Sequence, residues 1–71
     1  MILTVKRLFD AFAFYPDVME IRSSREKEKV FCNKLSMEIF ANQHENFEVE
    51  DFIIDNDGGN IILKFTLGDE L

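Results

Sequence analysis

With 71 residues, 46% of them apolar, a formal net charge of −6 and a single cysteine, the chain is read as one small domain, residues 1–71. A domain of this size buries only roughly 60% of the surface its unfolded form exposes. The lone Cys32 excludes an internal disulfide framework, and with His44 it supplies too few N or S ligands for a structural zinc site. Stability must then come from dense apolar packing, which eight Phe residues suit, or from self-association.

The chain opens on Met1, Ile2, Leu3, Thr4 and Val5, with Lys6 and Arg7 after them. An apolar run ahead of its charges is the reverse of a signal peptide, and it is too short to cross a bilayer, so a cytoplasmic protein with no membrane partner is expected. The terminal Gly68-Asp69-Glu70-Leu71 echoes an ER-retention signal without its Lys or His start, and is read as chance.

In chain order, Val5, Leu8, Phe9 and Phe12 fall at i, i+3, i+4 and i+7, which predicts a helix capped by Thr4. Pro16 disfavours the α region for its predecessor, so this helix should end by Tyr15, with Phe14 opposite its apolar stripe. Val18 to Arg22 reads as a short strand. Ser23 followed by Glu26 has the spacing of a capping box and predicts a second helix from about Ser24 to Ala41, closed by Asn42 and Gln43.

On a wheel, this second helix carries two apolar stripes, Phe31, Cys32, Leu35 and Ile39 on one and Val30, Met37, Phe40 and Ala41 on the other. A surface helix needs one such stripe, so two predict contact with two surfaces. Val30, Met37 and Phe40 are the expected dimer interface if the second surface is another copy of the chain.

From Phe47 onward the period becomes two. Phe47 to Ile54 alternates, breaks phase at Glu50-Asp51, and calls for a β-bulge there. Ile61 to Leu67 alternates cleanly, and the intervening Asp55-Asn56-Asp57-Gly58-Gly59-Asn60 is turn chemistry, predicting a C-terminal β-hairpin. The expected fold class is α+β, in the order α-β-α-β-β, with two helices packed on a small three-stranded antiparallel sheet.

Catalysis is not expected. Cys32 and His44 are twelve positions apart in the sequence, roughly 18 Å if a helix joined them, too far for a nucleophile and its base. Cys32, on an apolar stripe, reads as a buried inert thiol, and His44 as a solvated or capping residue at a helix end. Asp55, Asp57 and Gly59 resemble the opening of an EF-hand, but Asn60 stands where that loop requires Gly and Thr66 where it requires Glu. No metal and no cofactor are expected.

Arg22, Arg25, Lys27, Lys29 and Lys34 suggest a nucleic-acid surface, and a helix followed by a hairpin forms part of a winged-helix arrangement. Glu20, Glu26 and Glu28 interleave with those bases, however, and the wing would be acidic, which phosphates repel. Direct nucleic-acid binding is not expected.

Charge distribution is the most specific feature. Residues 45–71 hold eight acidic side chains against Lys64 alone, while residues 1–44 are close to neutral. Glu48, Glu50, Asp51, Asp55 and Asp57 fall on one strand and the hairpin tip. Alternate strand residues stand about 6.6–7 Å apart, a spacing close to that of successive phosphates in a nucleic-acid strand. The expected function is therefore a non-enzymatic protein-interaction domain that presents these carboxylates to a basic, nucleic-acid-binding protein surface and blocks it. That is the strategy of small phage anti-restriction and anti-CRISPR inhibitors, an analogy of size and charge. The alternatives are a homodimeric structural or accessory protein without a charge-based partner, and acids that serve only solubility and edge protection.

Overall fold

Thr4 opens the first helix as its spacing predicts: its Oγ1 accepts the Arg7 backbone N–H at 3.3 Å. The computed structural model describes residues 2–12, 15–25 and 27–71. Phe14, which the sequence sets opposite the apolar stripe, exposed or already past the helix, and Glu26, half of the expected capping box, lie outside them. The elements are α1 (Val5–Asp10), β1 (Val18–Ser23), β2 (Lys29–Phe31), α2 (Lys34–Gln43), β3 (Phe47–Asp57) and β4 (Asn60–Glu70).

The fold is α+β with two helices, and the sheet departs from expectation. It has four strands in the order β2-β1-β4-β3 and is mixed. β1 runs antiparallel to β2 but parallel to β4, from Val18 beside Ile62 to Ser23 beside Leu67. Asp17 fastens the start of this parallel pair, its N–H donating to the Ile61 carbonyl at 2.9 Å and its carboxylate accepting the Ile61 N–H at 2.8 Å.

The fourth strand is cut from the predicted second helix. Ser23 does not cap a helix; its Oγ accepts the Arg25 N–H at 3.2 Å and closes a turn. Lys29, Val30 and Phe31 then pair with Ile21, Glu20 and Met19. Val and Phe suit a pleated surface, and the ladder satisfies backbone groups that a first helical turn leaves open. The helix starts at Lys34 because Asn33 caps it, accepting the Leu35 and Ser36 N–H groups at 2.8 and 3.2 Å.

One apolar cluster joins the layers: Val5 and Leu8 of α1, Met37, Phe40 and Ala41 of α2, Met19 and Ile21 of β1, Val49 of β3, and Leu63 and Phe65 of β4. Alternation along β1 and β4 sends these side chains to the helix side and Glu20, Arg22, Lys64 and Thr66 to the open side. Beyond α1, which ends at Asp10, Phe9 packs against Phe12 and Tyr15 with ring centroids 6.3 and 5.8 Å apart.

No helix among the described residues is long and apolar enough to cross a membrane.

Candidate interaction surface

Gly58 and Gly59, at φ 61° and 89°, join β3 to β4 in a two-residue turn of the I′ kind, whose twist matches that of the strands it connects. The hairpin extends past the helix layer: every residue from Glu50 to Asn60 is exposed. β3 is an edge strand. Among the described residues, its outer side is covered only near its start, where Thr4 bridges Glu48 and the Val49 N–H donates to the Leu3 carbonyl at 2.8 Å.

Register shifts fall between Phe47 and Val49 and between Val49 and Asp51, so the phase break in the sequence is a bulge. Its consequence is electrostatic. Before the break, Val49 faces the core and its neighbours face away; after it, Asp51 pairs with Thr66 and Asp55 with Ile62, both on the open side. A Cβ built on Gly68 would lie 3.2 Å from Glu50 Cγ and 3.3 Å from both Glu48 Cβ and Glu48 Oε1, so both glutamates lie over this glycine on the same face. The bulge therefore brings Glu48, Glu50, Asp51, Asp55 and Asp57 onto one side of the hairpin. Without it, strict alternation would split Glu50 from Asp51, Asp55 and Asp57.

Lys64, Arg22 and Arg25 border the row. Lys64 Nζ lies 3.9 Å from Asp55 Oδ2, a long, partly exposed pair that screening leaves weak. Arg22 and Lys64, with Asp51, Ile53 and Thr66, line a shallow depression of about 320 Å³. Arg25 takes Asp69 at 2.8 Å, with both side chains exposed. Among the described residues, no group of three or more His, Cys, Asp or Glu is placed to hold a metal ion.

The residues expected at a dimer interface are not brought together. Met37 and Phe40 are buried in the chain's own core, and Val30 is exposed on β2, with Glu20 beside it. The stripe that holds Leu35 and Ile39 faces outward instead, the two being 63% and 49% exposed. Cys32, read from the sequence as buried, is exposed between β2 and α2.

His44 does cap α2. Its N–H donates to the Phe40 carbonyl at 3.0 Å, and its Nδ1 lies 3.0 Å from the same oxygen. A carbonyl can only accept, so Nδ1 carries the proton. The ring stacks on Phe40 at 4.1 Å and tilts against Phe47 at 4.9 Å. Beside it opens a second hollow, floored by Ile21, Phe40, Phe47 and Leu67 and rimmed by Arg25, Lys27 and Lys29. Sequence reading groups these three bases with Arg22 and Lys34 but misses the hollow, since the bases precede α2 on a turn and a strand whose pairing is not local.

The chain matches no model of a known protein family, no curated protein and no solved structure.

Proposed function

We propose that this chain is a non-enzymatic interaction domain whose acidic hairpin blocks a basic, nucleic-acid-binding surface of another protein, in the manner of small phage or mobile-element inhibitors of restriction and CRISPR systems. One observation carries the reading: the bulge gathers five carboxylates on one side of a hairpin whose outer part, residues 50–60, is exposed throughout. Solubility alone requires acids on the surface and sets no condition on their alignment. A one-signed row draws a partner of opposite sign and raises its encounter rate.

The test is a variant carrying Glu48→Lys, Glu50→Lys, Asp55→Lys and Asp57→Lys. None of the four side chains is buried, so the variant is expected to fold, with an unchanged circular dichroism spectrum. It is expected to lose a partner that the parent protein captures at low salt and releases at high salt, because exposed charges are screened beyond about 8 Å at physiological ionic strength. A folded variant that still captures and inhibits the same partner would falsify the proposal.

Outward-facing Leu35 and Ile39, one helical turn apart, favour the homodimer as a second reading. Under it, light scattering gives a dimer mass that Leu35→Ser with Ile39→Ser reduces to a monomer; a monomer mass for the parent protein at high concentration removes this reading.

A further inference from the structure

The hairpin offers a partner more than charge. A two-residue turn closes on a hydrogen-bonded pair, here Asp57 with Asn60, and bonded and non-bonded pairs alternate along an antiparallel ladder. Asp55, Ile53 and Asp51 therefore turn their backbone groups toward β4, while Phe52, Ile54 and Asn56 turn theirs outward. The Asn56 N–H is taken by the Asp55 carboxylate at 2.9 Å. Phe52 and Ile54 lie beyond the stretch covered by Leu3 and Thr4, and among the described residues no strand pairs with their N–H and C=O groups, which form an open edge. The two residues are 48% and 51% exposed, and Ile53, on the opposite face between Asp51 and Asp55, is 60% exposed.

We propose that this edge of β3 receives an extended segment of the partner by strand addition, and that the segment reads basic, apolar, apolar, apolar, basic over five residues. The inference rests on the acidic-hairpin reading above and specifies how the partner is held. Main-chain bonds to Phe52 and Ile54 supply the docking, as in other strand additions. The end residues of the segment face Asp51 and Asp55, its centre faces Ile53, and the two between lie beside Phe52 and Ile54. The side-chain pattern is symmetric; the segment runs antiparallel to β3, so the two residues that bond the edge lie directly opposite Phe52 and Ile54.

The same charges argue against a second copy of this chain as the occupant. The antiparallel self-pairing that best matches the apolar residues, centred on Ile53, sets Asp51 opposite Asp55 twice, and like charges directly opposite are destabilising.

Three blocked peptides test the proposal on the full chain: Ser-Lys-Val-Val-Val-Lys-Ser, the same sequence with Glu for both Lys, and the Lys peptide N-methylated at the two residues expected to bond the edge. Binding is followed by NMR titration and by hydrogen exchange of the Phe52 and Ile54 amides. The Lys peptide is expected to bind and slow exchange at both amides. N-methylation should weaken its binding about tenfold or more by removing two main-chain donors, and the Glu peptide should not bind.

Undiminished binding of the N-methylated peptide overturns strand addition while leaving the charge reading intact. Equal binding of the Glu peptide, with both amides protected, overturns the charge pattern and with it the proposed partner. Protection of both amides that rises with protein concentration alone places a second copy on the edge and overturns the proposal as well.

Discussion

Phe40 shows how one side chain takes a role that its type does not announce. It packs against Phe31 at 5.5 Å, Phe65 at 6.4 Å and the stacked His44 ring, joining α2 to β2, to β4 and to the turn that follows it. Phe40→Ala is expected to cost about 3–5 kcal/mol, a large share of the roughly 5–15 kcal/mol that holds a native domain together. Urea denaturation measures it, and a loss below 1 kcal/mol would remove Phe40 from the core. That a Phe sits on an apolar stripe of a helix was legible from spacing. Which of two stripes faces inward was not, because both contained large apolar residues, and only the position of the sheet distinguishes Met37 and Phe40 from Leu35 and Ile39. The exposure of Cys32 was hidden for a related reason: a thiol placed on a helical stripe looks buried until the helix is found to begin two residues later.

At the scale of the element, the hairpin was the most legible part of the chain. Its strands alternate over many residues, its turn is composed of residues that tolerate positive φ, and its bulge leaves a visible break in phase. The turn glycines are there for conformation, since a Cβ at either would meet nothing within 4 Å. Gly59→Ala is therefore expected to destabilise the hairpin by about 1–2 kcal/mol, the cost of a left-handed backbone in an L-residue. Thermal or urea denaturation gives the value, and no loss would contradict the I′ assignment. β2 lies at the other extreme. Three residues contain too little period to declare a strand, and nearby Ser23 and Glu26 have the spacing of a helix start, so a local rule prevailed that the pairing with β1 overrides. The candidate site divides in the same way. Its five acids were readable, but their alignment depended on the side to which the bulge turns Asp51.

Across the whole molecule, charge and shape are separated. Helices cover one face of the sheet, while the open face and the far end of the hairpin carry most of the acids in residues 45–71. Like charges this close repel in the folded state, and added salt relieves them as the screening length falls from about 30 Å at 0.01 M to about 8 Å at 0.15 M. The melting temperature is expected to rise between these two sodium chloride concentrations, and less so in the four-lysine hairpin variant. An equal rise in both proteins would show that the hairpin acids contribute nothing to the repulsion. From the sequence alone came the α+β class, the hairpin with its bulge, the start of α1 and the crowding of acids at the C-terminal end, all of them set by residues close together along the chain. Only the tertiary structure decided that β1 lies parallel to β4, that residues 29–31 form a fourth strand, which stripe of α2 is buried and which edge of β3 stays open. Each of these depends on partners many residues away, and local periodicity carries no record of them.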